Sequence, residues 1–309
     1  MKKNYSYVHL LFTGLALACL PGCKAKAPST VVAEEFPAFY IEGHRGTRGL
    51  MPENTIPAMK KAVDVGANVL ELDVQISKDG QVMVAHDPRL NPAITLLPNG
   101  EEIPKEDADK YILHQMDYAD IRRFDVGSKY NPAFPQQQKM KAYIPLLGEL
   151  IDSVEQYTAA KGLPEVIYNI EIKADPAKDG IYQPAPAELV KRVMDVVNEN
   201  KIGNRFYLQS FDIRQIQEVH RQYPQVVTGF LTSEKNASLE ENLRRIGFRP
   251  NIYSPNYGLV TDSLVVKSHR QGMKLIPWTV NSPEEIEKLQ QQGVDGIITD
   301  YPNLLSEKE

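Results

Sequence analysis

Cysteine is nearly missing from this chain. Of 309 residues only Cys19 and Cys23 are cysteines, and both lie at the front. A domain after them folds without disulfides, thiolate nucleophiles or cysteine-held metal, and must rest on its apolar core. No lysine- or arginine-rich run interleaves with aromatics, and the formal charge is −5, which argues against nucleic acid as a partner. A Gly-x-Ser-x-Gly elbow, a Walker phosphate loop, a dinucleotide fingerprint and a histidine-rich zinc spacing are all absent. The apolar run from about Val8 to Leu20 is too short to span a bilayer with ease. What is present, 42% hydrophobic and 24% charged residues, is ordinary globular composition.

That early apolar run follows Lys2 and Lys3 and precedes Leu20-Pro21-Gly22-Cys23, so it sits where a secretory signal belongs. The four residues resemble the lipobox of bacterial lipoproteins, with Cys23 as the lipid acceptor; Ala16-Leu17-Ala18-Cys19 is a rival site. Residues 1–22 are expected to be a lipoprotein signal peptide and 23–37 a flexible tether without apolar period. A lipid anchor would hold the protein to a membrane of the bacterial cell envelope, facing the periplasm or the exterior.

From Phe39 onward, strand patterns alternate with helical ones. FYIEGH (39–44) is a strand, and Ile56 to Gly66 is a helix with Pro57 in its first turn and Asn54 or Thr55 as cap. Strands at 69–77 and 82–87 are joined across Lys78-Asp79-Gly80-Gln81. After an irregular stretch at about 88–144, strands at 166–173, 205–210, 226–231, 251–255, 274–280 and 295–299 recur between helical patterns. Setting the 82–87 return strand aside, eight such units predict a (β/α)₈ TIM barrel over 38–309. It would carry a hairpin after strand 2 and a loop-rich insertion. An open doubly wound sheet is the alternative.

Barrel chemistry sits at the carboxyl ends of the strands. In VLELDVQIS, period-two alternation puts Glu71, Asp73 and Gln75 on one face and Leu70, Leu72, Val74 and Ile76 on the other. Asp79-Gly80 signals a two-residue turn; pairing Lys78 with Gln81 across it would lay His86 directly opposite Asp73. VIYNIEIK repeats the device, with Asn169, Glu171 and Lys173 on one face. His44 ends the first strand, and Arg45 follows it within the glycine-rich stretch GHRGTRGLMPENT (43–55). Taken singly, each of these residues is ordinarily structural. Three inward carboxylates together repel one another, and a divalent cation is the natural compensation. Their all-oxygen set favours Ca²⁺ or Mg²⁺ over zinc. A hard cation beside arginine, lysine and two histidines suits cleavage of a phosphodiester.

The landmarks GHRG (43–46), PENT (52–55), ELDVQISKDGQVMVAHD (71–87), EIK (171–173), QSFD (209–212), PWTVN (277–281) and DGIITDYP (295–302) resemble, in this order and spacing, the glycerophosphodiester phosphodiesterase family. The resemblance spans nearly all of residues 40–304. It implies a TIM barrel that hydrolyses small-molecule glycerophosphodiesters to sn-glycerol 3-phosphate and an alcohol, with no obligate protein partner evident. It also implies His44 and His86 as the catalytic pair, Glu71, Asp73 and Glu171 as metal ligands, and Arg45 and Lys173 as phosphate contacts. Glu53 would be a supporting or additional ligand, Trp278 a pocket-lining aromatic, and Gln209 an ordering residue at the mouth. The chain departs from many relatives after His86, where HDPRLNPAIT lacks an arginine-threonine pair.

Residues 88–144 are expected to cap the mouth as a loop-rich lid. His114, His220 and His269 fall on helical or insertion patterns and read as non-catalytic, while Tyr143, Tyr253 and Tyr257 either line the pocket or pack. Three rival readings stand beside the main one. They are a phospholipase-type diesterase acting on intact phospholipid, which an apolar lip on the insertion would favour, a non-catalytic lipoprotein that binds phosphate esters, and a purely structural lipoprotein, which would leave the inward carboxylates without purpose.

Overall fold

A computed structural model describes residues 1–4 and 36–306. Residues 5–22 of the expected signal peptide, with Cys19, and most of the expected tether, with Cys23, lie outside the described residues. The chain divides into units Met1–Glu34 and Glu35–Glu309, and the larger one carries the fold.

Its strands are β1 (Tyr40–Gly43), β2 (Val69–Ile76), β3 (Val82–Val84), β4 (Ile167–Ile172), β5 (Phe206–Ser210), β6 (Thr228–Thr232), β7 (Ile252–Pro255), β8 (Lys274–Leu275) and β9 (Gly296–Thr299). Between them run α1 (Ile56–Asp64), α2 (Tyr118–Ile121), α3 (Leu147–Lys161), α4 (Pro186–Glu199), α5 (Ile213–Gln222), α6 (Leu239–Ile246), α7 (Asp262–Arg270) and α8 (Pro283–Gln291), with α9 (Asn303–Ser306) closing the chain. Thr55 caps α1 by accepting from Ala58 N, and Pro57 occupies its first turn. Asp212, Ser238, Thr261 and Ser282 cap α5, α6, α7 and α8 in the same way.

The strands follow one another as β8-β7-β6-β5-β4-β2-β1-β9, each pair parallel, with β3 added to β2. Three backbone hydrogen bonds bridge the remaining seam: Asp295 N to Leu275 O (2.9 Å), Ile298 N to Pro277 O (3.0 Å) and Val280 N to Ile298 O (3.0 Å). Sequence order around the ring, with its ends meeting, is a (β/α)₈ barrel and not a doubly wound sheet.

Alternation sorts the side chains. Leu70, Leu72, Val74, Tyr168, Ile170 and Leu208 join the helices in one buried cluster with Met59, Ile151, Leu189 and Val219. The opposite set fills the barrel in layers. Tyr40, Val69, Ile167, Tyr207, Ile252 and Ile298 form an apolar cluster. Further along the same strand faces the residues turn polar. Glu42, fully buried, accepts from Tyr207 OH (2.5 Å) and Asn169 Nδ2 (2.8 Å). Burial pushes its carboxyl up from 4.5 to about 7, against the two hydrogen bonds. The unfolded chain therefore ionises Glu42 first, and folding stability falls as pH rises from about 4.5 to about 7. At about 1.4 kcal/mol per unit, the loss approaches about 3 kcal/mol. Urea midpoints of wild type and Glu42→Gln at pH 5 and pH 8 should show the variant lacking this share of the slope.

The hairpin differs from expectation by one residue. Val74 pairs with Val84, Gln75 with Met83 and Ile76 with Val82. The loop holds three residues, because Ser77 bonds to Gln81 through both backbone and hydroxyl, and Gly80 takes φ +79. Ala85 thus faces Asp73, with Ala85 N donating to Asp73 O (3.0 Å), and the ladder stops at Val84. His86 reaches the mouth because the chain leaves the sheet there, with Gln75 Nε2 holding its carbonyl (3.0 Å).

Residues 88–144 form the expected loop-rich insertion, and it has a small core of its own. They contain α2 and 3₁₀ turns at Lys105–Lys110 and Leu113–Gln115. Leu90, Ile103, Leu113, Ile121, Phe124 and Val126 form a separate buried cluster against Met83 and Ala85. Their apolar residues look scattered in sequence because they answer to this small core and to no helical or strand period.

Candidate active site

The three carboxylates converge as the barrel register requires. Asp73 and Glu171 are direct neighbours across β2 and β4, and Glu171 neighbours Gln209 across β5. Glu71 lies one inward position below Asp73. Glu71, Asp73 and Glu171 are buried, and each offers an oxygen within 4.8 Å of the others. Asp73 Oδ1 is buried without a hydrogen-bond partner. Burial, then repulsion from Asp73 and Glu171, holds Glu71 well above the usual carboxylate range. Burial likewise raises Glu171, against the Lys173 ammonium. Asp73 resists the same burial and lies low, because Arg45 and Lys173 face it and Asn54 Nδ2 donates to it (2.8 Å). An unpartnered oxygen amid mutually repelling hard donors fits a bound divalent cation.

Cations ring this cluster. Lys173, at the end of β4, reaches Glu171 (2.7 Å) and Asp73 (3.6 Å). Arg45 gives its backbone N–H to Glu71 (2.7 Å) and its guanidinium to Glu53 (2.7 Å), with Asp73 3.4 Å away. Glu53 therefore meets the site through Arg45. The loop that sets this geometry is tight: Arg45 and Asn54 take left-handed φ of 51 and 57, and Asn54 N bonds to Arg45 O (3.0 Å). A side chain on Gly46, at φ +83, would press into Ala58 of α1.

The two histidines are held alike. His44 Nδ1 lies 2.7 Å from Asp300 Oδ1, and His86 Nδ1 lies 2.8 Å from Asp87 Oδ1. Each pairing leaves Nε2 free. Their surroundings differ. Asp300 is fully buried and the His44 side chain 12% exposed, whereas the His86 side chain is 30% exposed. Burial is the largest influence on His44 and holds it below its ordinary value, outweighing the Asp300 carboxylate. Burial opposes charge on Asp300 too, but hydrogen bonds from His44 and Arg48 keep it ionised. Both histidines open onto one cavity of about 320 Å³, which Glu71, Glu171 and Lys173 also line. Phe211, Leu231 and Trp278 form an apolar wall there. Trp278 is pinned by Nε1 to Ser254 O (2.9 Å) and meets Phe211 edge-on at 5.1 Å. Gln209 Nε2 approaches Glu71 at 3.4 Å.

All ten barrel residues named from the sequence thus gather at one mouth. Asp300, Asp87, Arg48 and Phe211 were not singled out there, and Asn54 only as a candidate helix cap. Asp87 directly follows His86, and Asp300 lies within DGIITDYP, so both were in view without a role. The other histidines among the described residues lie elsewhere. His114 bonds to Ile76 O (3.0 Å), His220 stacks on Phe248 (3.9 Å) and His269 bonds to Asp295 (2.8 Å). Tyr143 and Tyr253 pack, bonded to Glu149 and Asn242.

A barrel whose strand ends join a hard-cation pocket to two carboxylate-backed histidines, arginine and lysine has the equipment of a phosphoric diester hydrolase. Residues 44–304 match the Glycerophosphoryl diester phosphodiesterase family, and the chain belongs to it. A glycerophosphodiester phosphodiesterase of Caldanaerobacter subterraneus subsp. tengcongensis is 31% identical over 267 residues, covering 86% of this chain and 95% of that one. The Bacillus subtilis protein YhdW, provisionally named as the same enzyme, is 31% identical over 268 residues, covering 86% and 96%. A crystal structure from Silicibacter pomeroyi, provisionally named for the family, superposes with a TM-score of 0.77 at 32% identity, covering 87% of this chain and 92% of that one.

Proposed function

We propose that this enzyme hydrolyses glycerophosphodiesters to sn-glycerol 3-phosphate and a free alcohol. The observation that carries the reading is a cluster of three buried carboxylates, two of which line the cavity onto which both carboxylate-backed histidines open. Held by Glu71, Asp73 and Glu171, Ca²⁺ or Mg²⁺ would withdraw charge from a phosphoryl oxygen. Arg45 and Lys173 neutralise the other non-bridging oxygens.

His44 is the base. Its carboxylate partner keeps the proton on Nδ1, and burial keeps the ring neutral, so Nε2 presents a lone pair. It takes a proton from the attacking oxygen, either water or the vicinal glycerol hydroxyl; the hydroxyl route gives a cyclic phosphate, which a water then opens to glycerol 3-phosphate. As the new O–P bond forms, the bond to the leaving alcohol breaks, and His86 Nε2 gives that alcohol its proton. Trp278 and Phe211 wall the site, and Gln209 orders Glu71.

The sequence supports a wider placement: cleavage after residue 22, lipidation at Cys23, and a tether holding the barrel to the bacterial cell envelope. The insertion buries most of its large apolar residues in its own cluster, and Tyr130 is the one large apolar residue it exposes, which supports small diesters over intact phospholipid.

The test is choline and glycerol 3-phosphate release from glycerophosphocholine by the full chain in detergent, with Ca²⁺, Mg²⁺ or EDTA. Cation-dependent release is expected. A folded protein releasing nothing with either cation would overturn the proposal. Release from lysophosphatidylcholine alone would move the substrate to lipids.

A further inference from the structure

Arg48 is a cavity-lining cation left over when phosphate binding is assigned to Arg45 and Lys173. Its guanidinium pairs with Asp300 and lies 3.9 Å from Glu53. Nε donates to Oδ1 (2.9 Å) and a terminal nitrogen to Oδ2 (3.1 Å). Asn281 Nδ2 adds a bond to Oδ2 (2.7 Å), and His44 Nδ1 completes the set at Oδ1. Four donors fill the lone pairs of a fully buried carboxylate. An ionised carboxylate only accepts, so His44 Nδ1 must carry the proton it donates, and that fixes both the tautomer and the plane of the ring.

Arg48 is itself held from outside the barrel. Phe134 of the insertion stacks on its guanidinium, with the ring centroid 4.6 Å from Cζ. Gln137 Nε2 donates to Arg48 O (2.8 Å), and Gln138 N to Leu50 O (2.8 Å). Segment 131–138 therefore grips the loop after β1 at the arginine that grips Asp300.

We propose that Asp300 is the positioning residue of His44 and that the insertion, through Phe134 and Gln137 on Arg48, holds that pair in register. The insertion then contributes to proton transfer. This rests on His44 acting as the base, so one arm of the test does not depend on activity.

Four proteins are compared: wild type, Asp300→Asn, Phe134→Leu and the double variant Phe134→Leu/Gln137→Ala. Asparagine keeps the shape of Asp300 and removes its charge. Asp300→Asn is expected to lower kcat by roughly 10²-fold or more, with KM changed less than about threefold. The charged groups facing His44 are Asp300, Arg45 and Arg48, and only the first raises its proton affinity. The acid limb of kcat/KM should accordingly move to lower pH in Asp300→Asn. The double variant should lower kcat by about tenfold without loss of Ca²⁺ binding, since it touches no carboxylate of the cluster. Imidazole nitrogen shifts, assigned by difference with His44→Gln, should show His44 protonated at Nδ1 in wild type and a mixed tautomer in Asp300→Asn.

Wild-type kcat and pH profile in Asp300→Asn, or an unchanged His44 tautomer, would overturn the positioning role. Unchanged kinetics in the double variant would overturn the insertion's part. If wild type releases no glycerol 3-phosphate, the base assignment fails, while the nitrogen shifts still decide whether Asp300 orients the ring.

Discussion

His44→Ala should abolish turnover of every diester offered, whereas His86→Ala should lose natural substrates and keep activated ones. General acid and base each supply roughly 10²- to 10⁴-fold. A choline or glycerol leaving group needs a proton as the P–O bond breaks. A p-nitrophenolate does not, being stable as an anion near neutral pH. The base is needed in both cases to deprotonate the nucleophile. His44 is the more enclosed of the two and has a fully buried carboxylate behind it, which suits a neutral, oriented base. Rates on glycerophosphocholine and on a p-nitrophenyl phosphodiester, for both variants, give a two-by-two comparison. Equal losses on the two substrates for His86→Ala would remove it from the acid role. Retention of the p-nitrophenyl reaction by His44→Ala would exchange the assignments.

Glu71→Gln should give a protein that is more stable without cation and nearly inactive with it. Glu71 is buried beside Asp73 and Glu171, and its carboxyl is raised well above the usual range by burial first and by those two charges next. A folded-state value above the unfolded one means that stability falls as pH rises through the interval between them. Glutamine removes the charge and keeps an acceptor for Arg45 N–H, now 2.7 Å from Glu71 Oε2. In EDTA at pH 8 the variant should gain roughly 1–3 kcal/mol by relief of a buried charge, and the gain should vanish under acid conditions where wild-type Glu71 is protonated. With cation the order reverses, because ligand binding stabilises only the chain that holds it. Thermal melts at two pH values, each with EDTA and with Ca²⁺, read both effects. A variant that melts lower than wild type in EDTA at pH 8 would show that Glu71 stabilises the empty cluster.

Much of this site was legible because a strand's two faces are a strict code. Leu70, Leu72 and Val74 had to meet helices, so Glu71 and Asp73 had to point inward, and Tyr168, Ile170 and Ile172 forced the same on Glu171. The cap of α1 was equally local. The hairpin register was not, since a single hydroxyl on Ser77 and the left-handed Gly80 chose a three-residue loop over a two-residue one. His86 was placed at the right mouth by the wrong pairing; what brings it there is the end of the ladder at Val84. Asp300 lies 256 positions from His44, and nothing local marks it as a histidine partner until β9 is known to lie beside β1. The insertion's core escaped for a related reason: its apolar residues are spaced by tertiary packing and follow no secondary-structure period.

The most direct test of the account is the identity of the products. Phosphorus NMR of glycerophosphocholine, incubated with the enzyme and Ca²⁺ or Mg²⁺, follows the diester and every phosphorus-bearing product in one tube. The account predicts that the diester signal is replaced by sn-glycerol 3-phosphate with stoichiometric choline, and that EDTA or Asp73→Asn stops the change. Appearance of phosphocholine and glycerol would mean that the other P–O bond breaks, and a persistent diester signal with a folded, cation-loaded protein would contradict the catalytic reading.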